Sequence, residues 1–102
     1  MKVKILDEAE QDLCDGFAFY ESQEPGLGDY FLNTLFADID SLGLFAGIHG
    51  KVFEFHRLLS TRFPYAIYYS LHGDTAFVNA VLDCRRDPMK TKIRLMNSRR
   101  TK

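Results

Sequence analysis

The stretch FPYAIYYSLHGDTAFVNAVLD, residues 63–83, decides the fold. Two runs rich in aromatic and β-branched residues alternate in polarity on either side of a glycine-containing turn at 72–74, and this pattern predicts a β-hairpin. Successive side chains of a strand point to opposite faces of the sheet. Tyr68 is therefore expected on one face, and the other face, predicted to lie against helices, receives Tyr65, Ile67 and Tyr69.

Two further segments have the period of a strand. KVKIL at 2–6 alternates polar and apolar residues, and VFEFHRL at 52–58 does the same, which predicts one strand in each segment. The chain therefore contributes one strand before its helices and three after them.

Between the first two strands the period changes to that of an amphipathic helix. Apolar residues recur every three or four positions through 9–20 and again through 31–42, and EPGLG at 24–28 separates the two runs with turn-forming residues. Two helices with so short a connection form an antiparallel hairpin. The predicted fold is α+β, with the order β-α-α-β-β-β and a helical hairpin packed on a small, mainly antiparallel sheet.

The chain has 102 residues and a mass of 11.8 kDa, which suits a single hydrophobic core. We predict one domain over 1–88 and a basic tail over 89–102, in which Met89, Ile93 and Met96 have a spacing compatible with a short helix. No apolar run has the length of a membrane helix, and no secretion signal is recognised. The two cysteines have no metal-binding spacing, so a reduced, cytoplasmic protein is expected.

Charge is distributed unevenly along the chain. Residues 1–84 contain five basic and thirteen acidic residues, whereas residues 85–102 contain eight basic residues and one acidic residue. This asymmetry predicts that the basic end meets a polyanion or an acidic partner. The alternative is a solubilising basic tail that binds nothing.

Few residues have the spacing of a catalytic or metal site. The three histidines lie in three different elements, so neither a metal nor another cofactor is expected. The remaining candidates for a functional site are the arginines at strand ends, because guanidinium groups bind phosphate and carboxylate groups well. These residues are Arg57, Arg62, Arg85 and Arg86. The alternative is that they form surface ion pairs with Glu54, Asp83 or Asp87.

These features together resemble the RelE/ParE toxin superfamily, and most of all its ParE-like branch of plasmid stabilisation proteins. The resemblance rests on the element order, PGLG at 25–28 with the following helix, the strand that contains Arg57, FPYAIYY at 63–69 and VLDCRRDP at 81–88. ParE-like chains often have histidine at the position of Asp83. This difference replaces a group that can donate and accept a proton with one that only accepts.

The resemblance implies the toxin of a bacterial type II toxin–antitoxin system, neutralised by a cognate antitoxin that is ParD-like or similar. ParE-like members poison DNA gyrase, and RelE-like members are endoribonucleases that cut mRNA on the ribosome. Residues 51–84 contain only three cations and the tail contains no tyrosine, so the nuclease residues are sparse and a non-enzymatic gyrase inhibitor is favoured. The alternatives are a RelE-like endoribonuclease and an inactive relic that only binds antitoxin.

Each hypothesis assigns its own residues. Gyrase binding is assigned to the basic end, at Arg85, Arg86, Lys90 and Lys92. Antitoxin binding is assigned to Phe31, Leu35 and Tyr68. A nuclease would use His56, Arg57, Arg62 and Arg85.

Overall fold

The structure, a computed structural model that describes residues 1–100 and their side chains through Ser98, confirms the α+β class. A helical hairpin lies on one face of a five-stranded sheet and a last helix lies on the other. The strands are β1 (Lys2–Ile5), β2 (Lys51–Val52), β3 (Phe55–Leu59), β4 (Tyr65–His72) and β5 (Thr75–Asp83). The helices are α1 (Asp7–Gln23), α2 (Leu27–Asp40), α3 (Leu42–Phe45) and α4 (Pro88–Arg100).

The sheet has the strand order β1-β5-β4-β3-β2. The β4–β5 hairpin turns at Gly73, which has the positive φ of 62° that glycine adopts without strain. β1 pairs with β5 in parallel, and the other pairs are antiparallel. The sheet is therefore mainly antiparallel, as expected, with one parallel strand at its edge.

The expected single strand over 52–58 is wrong, because this segment is a tight hairpin. Phe53 and Glu54 have φ values of 52° and 72° and form a two-residue turn between β2 and β3. Both strands keep the alternating pattern, so the period gives no sign of the reversal. Such a turn usually contains asparagine or glycine, and the sequence provides neither there.

The helical hairpin packs closely at two glycines. A Cβ on Gly16 would lie 2.5 Å from the ring of Phe31, and one on Gly28 would lie 2.7 Å from the ring of Phe17. Glu21 fixes the turn between the helices, because its carboxylate accepts the backbone N–H groups of Gly26 and Gly28. The absence of a side chain at 16 and 28 lets α1 and α2 approach each other.

The two faces of the sheet carry separate cores, and the alternation predicted for β4 is confirmed. Beneath the helical hairpin, Tyr65, Ile67 and Tyr69 pack with the buried residues of α1 and α2. On the opposite face, Tyr68 packs in a smaller cluster with Leu95 of α4, which is fully buried. Part of the basic tail is therefore docked on the sheet.

A β-bulge at Asn79 serves this second core. Tyr68 pairs with Ala80 and Tyr69 pairs with Val78, so Asn79 is one extra residue in β5. The buried Asn79 accepts a hydrogen bond from Ser70 and lies 3.4 Å from the hydroxyl of Ser98 in α4. The bulge thus provides α4 with a polar contact, between Asn79 and Ser98, in addition to the apolar contact made by Leu95.

Candidate functional site

A cleft of about 190 Å³ lies between the sheet and the start of α4. The β2–β3 turn, the middle of β3 and β4, the end of β5 and the first turn of α4 all contribute to it. Its lining consists of Val52, Phe53, Arg57, Tyr68, Asp83, Cys84, Arg86, Pro88 and Thr91. We call it the arginine cleft, because two guanidinium groups, a phenol and a threonine hydroxyl border one space.

Arg57 and Tyr68 are neighbours on the floor of the arginine cleft. They are directly paired across β3 and β4 and therefore project from the same face of the sheet. Burial raises the pKa of the Tyr68 phenol, and a hydrogen bond with Arg57 offsets part of that rise. At neutral pH the phenol is therefore protonated and can donate a hydrogen bond but cannot act as a base.

The segment after β5 contains two arginines with different surroundings: Arg85 forms an ion pair, and Arg86 lines the arginine cleft. Arg85 pairs in bidentate fashion with Asp83, at 2.9 and 2.7 Å, and its backbone N–H donates to the same carboxylate. These contacts lower the pKa of Asp83. Arg86 forms no ion pair among residues 1–98. In the arginine cleft, Arg57 and Arg86 can therefore bind an anion, whereas Arg85 is paired with Asp83.

The remaining ionisable group of the arginine cleft is a thiol. Cys84 is exposed and forms no disulfide, and partial burial of its sulfur raises the pKa of the thiol. A thiol in this state is a poor nucleophile at neutral pH. The cleft thus has hydrogen-bond donors and positive charge, suited to holding a phosphate or carboxylate group.

The structure does not bring the predicted nuclease residues together. His56 projects from the face opposite Arg57, where its ring stacks on Tyr69. Arg62 lies in the β3–β4 loop and donates to the hydroxyl of Tyr30 at 3.0 Å. With Arg85 held by Asp83, only Arg57 of the four lies in the arginine cleft. Neighbouring positions of one strand face opposite sides, so His56 and Arg57 cannot share a site.

The residues predicted to contact an antitoxin are core residues. Phe31 and Leu35 are 0% exposed and fill the space between the helical hairpin and the sheet, and Tyr68 is 6% exposed. Their periodicity identified them correctly as the inner face of α2, but a partner cannot contact that face in this conformation. The space between the helical hairpin and the sheet is filled by the protein's own aromatic side chains: Tyr20, Phe31, Phe63 and Tyr65.

The predicted gyrase-binding residues are all exposed, but they do not form one cluster with one role. Arg85 is paired with Asp83 and Arg86 borders the arginine cleft. Lys90 and Lys92 lie on exposed positions of α4.

Sequence reasoning missed an ion pair that joins α4 to α1. Arg94 donates to both carboxylate oxygens of Asp12, at 2.9 and 2.7 Å, and the same carboxylate accepts the backbone N–H of Val81 at the open edge of β5. Burial raises the pKa of Asp12, and the contacts with Arg94 and Val81 offset part of that rise. Asp12 and Arg94 are 82 positions apart, so no local pattern could reveal this clamp.

A second cleft, of about 290 Å³, lies beside this clamp. Its acidic residues are Asp12, Asp15 and Asp83, and Arg86 borders it from the side of the arginine cleft. Within residues 1–100, no group of three or more potential ligands is arranged to hold a metal ion. No helix in the same range is long and apolar enough to cross a bilayer.

Comparison with known proteins identifies the fold. No protein-family model and no curated protein sequence matches the chain. Among solved structures, a chain of the structure described as "Chromosomal ParDE TA system from P. aeruginosa" superposes with a TM-score of 0.72 and 17% sequence identity. The match covers 79% of this chain and 92% of that one. The chain therefore has a ParE-like fold, as the sequence resemblance implied.

Proposed function

We propose that this chain is the toxin of a type II toxin–antitoxin system, that it inhibits DNA gyrase by binding, and that a cognate antitoxin neutralises it. The observation that carries the proposal is the fold similarity to a chain of a ParDE system, which extends over 92% of that chain. The order of elements and the motifs at 25–28 and 81–88 support the same interpretation.

The chemistry of the arginine cleft favours binding over RNA cleavage. Cleavage through the 2′-hydroxyl needs a base for that hydroxyl, an acid for the leaving oxygen and cations for the phosphate. Arg57 and Arg86 provide cations, but Tyr68 is a protonated phenol and Asp83 is held ionised by Arg85. Burial raises the pKa values of the Tyr68 phenol and the Cys84 thiol, so both keep their protons at neutral pH, and neither they nor the Arg85-bound Asp83 is suited to act as a general base.

The decisive experiment is supercoiling by purified DNA gyrase in the presence of the full chain. Inhibition together with trapped cleavage complexes is the expected result. The triple variant Arg86→Glu, Lys90→Glu and Lys92→Glu should relieve the inhibition. A matched variant with the same three charge reversals at Lys2, Lys4 and Lys51 should inhibit like the wild type. Unchanged supercoiling with excess wild-type protein would refute gyrase as the target.

A second candidate function, ribosome-dependent mRNA cleavage, is favoured by one observation. The arginine cleft places Arg57, Tyr68 and Arg86 around a space that suits a phosphate group. Primer extension on translated messages after induction distinguishes the two functions. Codon-phased cuts that disappear with Arg57→Ala would support the nuclease, whereas intact messages with arrested replication would support gyrase inhibition. Normal growth with abundant soluble protein would support the inactive relic.

Neutralisation by an antitoxin fits the charge of the exposed basic side. Acidic residues of a partner would be attracted to Arg86, Lys90 and Lys92, and such charges raise the association rate more than they change dissociation. Neutralising these residues together with Arg85 should slow association and flatten its salt dependence. Association at the wild-type rate in low salt would show that the antitoxin lands elsewhere. We expect the binding partner for this measurement to be encoded by a short upstream reading frame whose product has a DNA-binding N-terminus.

A further inference from the structure

The side of α4 that faces away from the sheet carries an exposed apolar stripe. We call it the α4 stripe, and it consists of Met89, Ile93 and Met96, which are 57%, 52% and 45% exposed. With 3.6 residues per turn, these positions lie on the opposite side of the helix from its buried residues. Those buried residues are Thr91, Leu95 and Ser98. The outer side of a docked helix is normally polar, so the stripe is an apolar surface available to another molecule.

The spacing of the α4 stripe is that of a coiled-coil seam. Its three residues are four and three positions apart, which is the alternation of the d and a positions in a heptad repeat. Side chains at these positions insert between the side chains of a second helix. α4 has 13 residues, so it can supply one half of a two-helix contact about two heptads long.

Lysines flank the α4 stripe on both sides. With Met89 at d and Ile93 at a, Lys90 takes the e position and Lys92 takes the g position of the heptad. Both lysines are exposed, and neither forms an ion pair within residues 1–98. In coiled coils the e and g positions carry the charges that select the partner helix.

The other charged groups of this segment are already engaged elsewhere. Arg94 pairs with Asp12 at 2.7 Å and lies 3.8 Å from Glu8, on the side of α4 next to α1. Asp87 is the one acidic residue of 85–102, and its carboxylate accepts the backbone N–H of Met89 at the start of α4. α4 itself contains no acidic residue, so the flanks of the stripe carry positive charge that no carboxylate of the helix offsets.

We propose that the α4 stripe docks an amphipathic helix of a partner protein, whose apolar seam is flanked by glutamate or aspartate residues. The apolar side chains supply the contact, and the two lysines select an acidic partner. A second copy of this chain is disfavoured as the occupant, because two α4 helices would bring lysine against lysine in the parallel and in the antiparallel orientation. The proposal goes beyond gyrase inhibition and does not depend on it.

The association should be weak and salt-dependent. A contact of about two heptads is smaller than the interfaces of stable complexes. We therefore expect a dissociation constant of roughly 10–100 μM in low salt. Added salt should weaken the binding, because the flanking lysines are exposed.

Fluorescence anisotropy of a labelled synthetic peptide at trace concentration measures this binding to the full chain. The probe is a helical peptide of three heptads with leucine at both seam positions and glutamate on both flanks, and a second peptide has lysine in place of each glutamate. The lysine peptide should bind at least about tenfold more weakly than the glutamate peptide. Ile93→Gln should raise the dissociation constant of the glutamate peptide by about tenfold or more, because it removes the central apolar side chain of the stripe. Ile48→Gln is the matched control, since Ile48 is 74% exposed but lies outside α4.

Reversing the flanking charges distinguishes a helix seam from unspecific apolar contact. The double variant Lys90→Glu and Lys92→Glu should bind the lysine peptide and lose the glutamate peptide, whereas Lys2→Glu with Lys4→Glu should behave like the wild type. Circular dichroism verifies folding, and Met96→Gln replaces Ile93→Gln if that variant is misfolded. No binding of the glutamate peptide up to about 1 mM wild-type protein would overturn the proposal. Equal binding of both peptides, or unchanged affinity in the stripe variant, would overturn it as well.

An anionic membrane is the other surface that a basic helix with an apolar side can fit. Co-sedimentation of the full chain with vesicles of phosphatidylglycerol and phosphatidylcholine tests this alternative. We expect Ile93→Gln to leave any vesicle binding unchanged, because three exposed apolar residues provide little area for insertion into lipid. Vesicle binding that is lost in Ile93→Gln, combined with a failure to bind the glutamate peptide, would assign the α4 stripe to lipid and refute a partner helix.

Discussion

The clamp between Asp12 and Arg94 permits a quantitative prediction of stability. Replacing Arg94 by methionine keeps an apolar side chain of similar length but removes two charge-assisted hydrogen bonds from Asp12. Losing one partner of a fully buried pair costs about 3–5 kcal/mol, whereas an exposed pair contributes about 0–1 kcal/mol. The side chains of Asp12 and Arg94 are 10% and 23% exposed, between these limits. We expect Arg94→Met to lower the free energy of unfolding by about 2 kcal/mol.

Urea unfolding followed by circular dichroism measures this loss. Arg85→Met is the matched control, because it breaks an exposed bidentate pair and should have a much smaller effect. Combining Arg94→Met with Asp12→Asn in a double-mutant cycle should give an interaction energy of about 1–2 kcal/mol. A loss below about 0.5 kcal/mol for Arg94→Met, or one equal to that of the control, would refute the conclusion that this pair fastens α4 to the domain.

Three other predictions concern the helical hairpin and the loop after it. Gly16→Ala should lower the free energy of unfolding by about 2 kcal/mol despite the better helix propensity of alanine, because the new Cβ would lie 2.5 Å from the buried ring of Phe31. Urea unfolding measures this loss. The control Gly50→Ala should show no such loss, because a Cβ there meets nothing within 4 Å. Glu21→Gln should cost about 1 kcal/mol in the same assay, since its carboxylate accepts backbone N–H groups at the α1–α2 turn. Burial and the nearby imidazole of His56 lower the pKa of His49 from its ordinary 6.5. As the pH falls, His49 is therefore protonated more readily in the unfolded chain than in the folded one, and the free energy of unfolding should decrease from pH 7 to pH 5. Unfolding curves at both pH values should show a smaller fall for His49→Gln, and an equal fall would contradict this assignment.

Sequence patterns predicted those parts of the fold that are determined by residues close together in the chain. Alternation along 63–83 identified the β4–β5 hairpin and the faces of its tyrosines, and the helical period identified the inner sides of α1 and α2. The hairpin between β2 and β3 was missed because Phe53 and Glu54 adopt positive φ without the residues that usually mark such a turn. Their conformation is imposed by strand pairing, which one segment of sequence does not reveal.

The site was harder to predict because it depends on contacts between distant segments. The arginines were recognised, but only the structure shows that Arg57 and Arg86 border one cleft while Arg85 is held by Asp83. The docking of α4 depends on the buried Leu95, on the bulge at Asn79 and on Asp12, and each of these acts across a long separation in sequence. The same periodicity that marks Phe31 and Leu35 as apolar cannot tell whether a partner or the protein's own sheet covers them.

The carboxylate of Asp12 has a consequence for the behaviour of the protein at high concentration. β1 pairs with β5 only as far as Val78, so the part of β5 from 79 to 83 has one edge that no described strand covers. A strand from another molecule can pair with an uncovered edge through backbone hydrogen bonds, and such pairing commonly starts aggregation. Here the backbone N–H of Val81 is already engaged by Asp12, and Arg94 closes over the same place. An incoming strand would have to displace a paired charge to gain one backbone hydrogen bond, so this edge is protected from the irreversible association that would remove the protein from solution.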